Sequence, residues 1–133
     1  MDRVEITTSG APAPGVGAPT PAEGTYSLGI AAAGLIFVSG QGGIRPDTGT
    51  LVEGIEAQTE LALRNIESIL HAAGSSLDRV VRFGVFLADI KDWGGMNAVF
   101  ARVLSKPYPA RITVQAAMAE GMLIEADAIA LPG

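Results

Sequence analysis

Over Arg111 to Gln115 and again over Ile124 to Ala128 the chain alternates apolar and polar side chains, with Ala119-Glu120-Gly121 in the stretch between. A period of two belongs to strands with one covered face, so these segments restrict the chain to folds built on a half-buried sheet. The tripeptide between them suits a hairpin loop, with Gly121 free to take a left-handed conformation. Paired that way, Gln115 lies opposite Glu125 and Thr113 opposite Asp127. Arg111, Thr113 and Gln115 then share a face with Glu125 and Asp127. The other face holds Ile112, Val114, Ala116, Ile124, Ala126 and Ala128, small enough to admit helices closely. Two readings of the polar face stay open. It is a solvated hairpin whose cross-strand ion pairs are worth under ~1 kcal/mol each. Or it is a site, in which Arg111 offers a planar fork to a carboxylate while Glu125 or Asp127 handles water or a proton. A polar subunit interface overlaps with both.

Upstream, the periodicities define an α+β order. Residues 2–8 suit a short first strand with Val4 and Ile6 on one face. Residues 9–24, rich in Pro, Gly and Ala, form an irregular loop expected to pack over the domain. Tyr26 to Ala31 and Leu35 to Ser39 form a hairpin about Ala33-Gly34. Gly40-Gln41-Gly42-Gly43 is expected to be a tight turn, and Pro46-Asp47-Thr48-Gly49 is one by composition. A helix runs from about Gly54 to Ala73 and stops at Gly74, with Ile55, Thr59, Ala62, Ile66, Ile69 and Ala73 facing a sheet. Glu60, Arg64, Glu67 and His71 make its solvated stripe, with Glu60 and Arg64 at pairing distance. Leu77 to Ala88 reads as a strand in which Val81, Phe83, Val85 and Leu87 alternate with Val80, Arg82 and Phe86. Apolar residues on both faces make it a central strand, covered by helices on one side and by a partner on the other. A second helix spans Trp93 to Leu104, burying Met96, Val99, Phe100 and Val103. The order is β-β-β-α-β-α-β-β, with two helices on one face of a mixed sheet.

Composition removes whole classes of function. The 133 residues suit one domain, 1–133, and 48% of them are hydrophobic. That is apolar for so short a chain, and implies that a second subunit covers some of the surface. A net charge of −5 with no basic cluster argues against nucleic-acid binding. The absence of cysteine removes thiol nucleophiles and Cys-ligated zinc, and a lone histidine, His71, argues against a metal site. No apolar run is long enough to cross a membrane, so the expected location is the cytoplasm.

Pro109-Ala110-Arg111 together with Ile124-Glu125-Ala126-Asp127-Ala128-Ile129-Ala130 resembles the C-terminal signature of the RidA (YjgF/UK114) family. Tyr26, Phe37-Val38-Ser39-Gly40-Gln41, Pro46-Asp47-Thr48-Gly49, and Val85-Phe86-Leu87-Ala88-Asp89 through Asn97 fall in the family's order and spacing. The resemblance covers all but the first 20 or so residues. It implies a chorismate-mutase-like (ferredoxin-like) six-stranded mixed sheet with two helices. It also implies a homotrimer with its sheets inward and a cleft at each subunit interface. The implied activity is hydrolysis of enamines and imines of the 2-aminoacrylate/2-iminopropionate type to 2-keto acids and ammonia, without cofactor or metal. A larger enamine acid such as 2-aminomuconate, or a non-enzymatic ligand-binding or chaperone-like trimer, are the alternatives. By resemblance Arg111 grips the substrate carboxylate and Glu125 positions the attacking water. Tyr26, Ser39, Gly40, Gln41, Asn97 and Thr113 line the pocket, with Tyr26 serving a neighbouring subunit's site. The chain departs from the family at Thr113, where many relatives have cysteine, and at Asp127, where glutamate is usual. Met118-Ala119, Gly42-Gly43 and Thr25 are further departures.

Overall fold

The computed structural model describes residues 2–18 and 24–133. Six strands and two helices follow one another as β1 (Val4–Ile6), β2 (Gly29–Ala32), β3 (Leu35–Gly42), α1 (Ile55–Ala72), β4 (Val80–Leu87), α2 (Trp93–Val103), β5 (Ala110–Gln115) and β6 (Ile124–Ala130). They form one mixed sheet in the order β1-β2-β3-β6-β4-β5. Among the described residues no helix is long and apolar enough to cross a membrane.

Local chemistry accounts for most boundaries. Ala33 and Gly34 both have positive φ, 55° and 72°, which turns β2 tightly into β3. Gly54 precedes α1 and Gly74, at φ 77°, follows its end. The apolar stripe of α1 is buried as its spacing requires, with Leu63 and Leu70 beside Ala62, Ile66 and Ile69. Phe83 of β4 meets Phe100 of α2 edge to face, with ring centroids 5.3 Å apart. Both helices therefore lie on one face of the sheet, and the core sits between.

The terminal strands do not form a hairpin. β5 pairs in parallel with β4, and β6 pairs antiparallel with both β4 and β3. The physical reason is the connection through α2, since a helical crossover returns the chain parallel to the strand it left. A turn does exist at Ala119–Gly121, where Met122 N–H donates to Ala119 O at 3.0 Å and Gly121 has φ 82°. It carries the chain across the end of β4, tied there by Ala116 N–H to Leu87 O (2.9 Å) and Ala88 N–H to Leu123 O (3.0 Å).

The new register divides the polar set. Arg111 and Thr113 align with Phe83 and Val85, on the helix-covered face with Ala128 and Ala126. Glu125 and Asp127 align with Phe86 and Gly84, on the open face. Ile112 and Val114, expected inside, stand on that open face instead, 51% and 37% exposed.

Smaller corrections follow the same logic. Gly40-Gln41-Gly42 is not a turn but the end of β3, with a bulge between Val38 and Gln41. Residues 77–79 form a short 3-10 turn, and an irregularity between Val80 and Arg82 leaves Val81 exposed while Phe83, Val85 and Leu87 are buried. Glu60 pairs with Arg102 of α2 at 2.7 Å rather than with Arg64, which pairs with Glu67 at 3.2 Å. Of the loop 9–24, residues 19–23 lie outside the described residues.

Candidate functional site

On the open side of β6, Glu125 borders a cleft of about 620 Å³ that also touches Tyr26, Ser39, Gly40 and Gln41. The bulge in β3 places these groups. It brings Gly40 so close to Glu125 that a Cβ there would overlap the carboxylate, so glycine lets Glu125 keep its present position. Ser39 sits beside it with its hydroxyl donating to Ser27 O at 2.5 Å. Gln41 pairs with Ala126 and is buried. The Tyr26 hydroxyl accepts a hydrogen bond from Gly15 N–H at 2.8 Å.

Glu125 is half-buried and makes no ion pair or side-chain hydrogen bond among the described residues. Burial first, and then the charge of Asp127, push its carboxyl above the ordinary carboxylate value. Asp127 is itself held in place. Its Oδ1 accepts from Gly84 N–H at 3.0 Å and lies 3.8 Å from Arg82 Nη1. A side chain at position 84 would collide with that oxygen, so Gly84 is what lets the carboxylate fold back onto the strand.

Arg111 occupies a different place. Its guanidinium lies between Trp93 and Phe100, 5.4 and 5.1 Å from the ring centroids, and Nη2 donates to Asn97 Oδ1 at 2.8 Å. Arg111 and Asn97 border a cavity of about 340 Å³ with Tyr108 and Pro109 at its mouth. Two aromatic rings and one amide thus fix a planar cation, each stacking contact contributing about 0.5–2 kcal/mol. Burial lowers its pKa, and a guanidinium remains charged regardless. Close along the same strand face, the Oγ1 of Thr113 is buried without a hydrogen-bond partner, alone in that among the described side chains. An orphaned hydroxyl of this kind costs about 1–3 kcal/mol.

The chain therefore carries two separate groups of the expected site residues. Tyr26, Ser39, Gly40, Gln41 and Glu125 are brought together, and Arg111 is brought to Asn97 and the Thr113 strand. The two groups stand on opposite faces of the sheet. Sequence reasoning missed Trp93 and Phe100 as the walls of Arg111, and missed Gln58 and Asn65. Those two are buried polar residues on α1, and they hold the site's loops. Asn65 Nδ2 donates to Gly42 O (3.1 Å) and Ile44 O (3.0 Å). Gln58 Nε2 donates to Val52 O and Gly121 O, and its Oε1 accepts from Leu123 N–H. Their signal was available, because two amides seven residues apart flank the apolar stripe of one helix.

A six-stranded mixed sheet with two helices, carrying a cleft-side carboxylate and a stacked arginine, is an arrangement with many known counterparts. The chain belongs to the RidA family, and the family profile described as Endoribonuclease L-PSP matches residues 17–132. It is 40% identical over 133 residues to the 2-iminobutanoate/2-iminopropanoate deaminase of Rattus norvegicus, covering 98% of this chain and 91% of that one. A RutC family protein of Pyrococcus horikoshii is 43% identical over 109 residues, 80% of this chain and 86% of that one. Among solved structures, RidA from a Psychrobacter species superposes with a TM-score of 0.86 at 41% identity, covering 96% of this chain and 98% of that one. TdcF of E. coli with bound serine superposes equally well, TM-score 0.86, at 30% identity and 98% and 99% coverage.

Proposed function

We propose that the protein hydrolyses 2-imino and 2-enamino acids of the 2-iminopropionate type to 2-keto acids and ammonia, in a homotrimer whose sites lie between subunits. The observation that carries this reading is Glu125, a half-buried carboxylate facing a cleft with no partner among the described residues. Kinship with deaminases of rat and mouse, 40% and 37% identical over the chain, supports it. Because Arg111 and Glu125 face opposite sides of one sheet, a small substrate reaches both only if a second copy supplies the other half-site. The open face, with Phe37, Ile112 and Val114 exposed, offers the apolar surface for that contact.

In this reading Arg111 of one copy grips the substrate carboxylate with its two-pronged fork. The iminium carbon then lies beside Glu125 of the next copy. Glu125, ionised, takes a proton from water as its oxygen adds to that carbon. It returns the proton to the nitrogen, then takes the hydroxyl proton as the C–N bond breaks and the C=O bond of the 2-keto acid forms, and passes that proton to the departing ammonia, which leaves as ammonium. An iminium carbon is already electrophilic, so orientation supplies most of the acceleration. The experiment is direct: generate 2-iminopropionate with an amino-acid oxidase and follow its disappearance by semicarbazide trapping. Acceleration over buffer supports the reading, and a rate equal to buffer rejects it.

A further inference from the structure

Gln115 belongs to the polar set of the last two strands, and neither group of the candidate site uses it. It lies on β5 four residues after Arg111, on the same face of the strand and about 13 Å along it. Its register partner is Leu87, at the end of β4, where the chain leaves the sheet for α2. There the Gln115 Oε1 accepts a hydrogen bond from Ile90 N–H at 2.9 Å.

Ile90 opens the 3-10 turn Ile90–Asp92, which runs directly into α2. The turn is closed at its start by Asp89, whose Oδ1 accepts from Lys91 N–H (2.9 Å) and whose O accepts from Asp92 N–H (3.0 Å). Among the described residues, two side-chain hydrogen bonds join β5 to the segment 90–103, this one and that of Arg111 to Asn97. On α2, Trp93, Asn97 and Phe100 follow at spacings of four and three, which puts them on one face. That face is the one Arg111 meets, with the two rings stacked on the guanidinium and the amide bonded to it. Within the chain Phe100 is 4% exposed and Trp93 43%, so core packing fixes the first ring while the second takes its place from the turn before it. All these contacts lie within one copy and are the same whichever surface a second copy covers.

Resting on the reading of Arg111 as the group that grips the substrate carboxylate, we propose that Gln115 is a positioning residue for that grip. It fixes the 3-10 turn, the turn fixes the Trp93 ring, and the ring holds the plane of the guanidinium fork. Gln115 acts through Trp93 on carboxylate binding and not on the reacting carbon.

The test compares Gln115→Met, which keeps the length of the side chain and removes the acceptor, with Gln115→Glu, which keeps an acceptor. Gln115→Met is expected to raise KM for 2-iminopropionate about three- to tenfold, the worth of one net hydrogen bond, with kcat within about twofold. Gln115→Glu is expected to stay within about twofold of wild type in both. Trp93→Leu should raise KM at least as much as Gln115→Met, and combining the two should raise it no further, because they act in series. Two readouts need no turnover. The Kd for pyruvate by calorimetry should rise about three- to tenfold in Gln115→Met. Trp93 is the chain's only tryptophan, and its fast anisotropy decay should grow in that variant at an unchanged melting temperature. An unchanged KM and Kd in Gln115→Met overturns the proposal and leaves the deaminase reading standing. So does a Gln115→Glu variant as weak as Gln115→Met, an unchanged Trp93 anisotropy, or effects that simply multiply in the double variant. Imines left unhydrolysed by wild type, with pyruvate binding weakened in Gln115→Met, reject the deaminase reading and support the positioning role.

Discussion

Arg111 donates to Asn97 across 2.8 Å while Trp93 and Phe100 close on the guanidinium from either side. The cation is therefore oriented before any ligand arrives, and an oriented fork loses little freedom on binding a carboxylate. Arg111→Lys keeps the charge but not the fork, and is expected to lower kcat/KM for imine hydrolysis by about 10–150-fold, the worth of a charged hydrogen bond. Arg111→Ala is expected to reduce the rate to that of buffer with oligomeric state unchanged. Wild-type turnover by the alanine variant would show that the carboxylate is held elsewhere.

Glu125 carries a pH signature. Its folded pKa is raised above the ordinary 4.5, by burial first and by Asp127 second. For a group shifted this way, its contribution to folding stability is present below pH 4.5 and is lost as pH rises through the folded value. Activity has the opposite sense, because the ionised form is the one that accepts a proton from water. The acid limb of the kcat/KM profile is therefore expected above the usual carboxylate range. Asp127→Asn keeps the acceptor for Gly84 N–H but removes the charge, and should move that limb to lower pH. A limb that stays in place would mean that Asp127 does not act on Glu125.

Asn65 serves stability rather than chemistry. Asn65→Ala strips the carbonyls of Gly42 and Ile44 of their buried donor, at a cost of about 1–3 kcal/mol for each group left unsatisfied. The urea midpoint should fall without a change in slope. Arg64→Ala, which removes only an exposed pair with Glu67, should shift it by less than about 0.5 kcal/mol. Equal midpoints for the two variants would refute the role given to Asn65.

The open sheet face supplies a test of assembly. Ile112→Asp places a charge on a surface that otherwise presents Phe37, Val114 and Ile112. Light scattering is expected to report a trimer for wild type and a smaller species for the variant. A variant that keeps the wild-type mass would move the interface to another surface.

Much of the framework was legible because single residues decide it. Gly54 and Gly74 bracket α1, Ala33-Gly34 turns the first hairpin, and the Met96–Val99–Phe100 stripe defines α2. The pairing of β5 and β6 was not legible, although both strands were. Alternation fixes which residues share a face within a strand, but not which strand lies beside it. The turn at Ala119–Gly121 has the composition of a hairpin loop, yet it leads across the end of β4. That one insertion moved Ile112 and Val114 to the open face and parted Arg111 from Glu125. The glycine at position 40 was read as part of a tight turn, and its close approach to the carboxylate of Glu125 became visible only once the bulge in β3 was placed.

The position of β6 also governs the order in which the sheet can be completed. It is the last of the six strands in the chain, yet it occupies a central place, with β1-β2-β3 on one side and β4-β5 on the other. Until it arrives, β3 and β4 each present an unpaired edge rich in apolar side chains, and such edges invite pairing with foreign strands. During synthesis the β1-β2-β3 part and the β4-β5 part of the sheet stay unjoined until β6 has been made. The protein thus depends for its solubility as a nascent chain on the same strand that later presents Glu125 to the cleft.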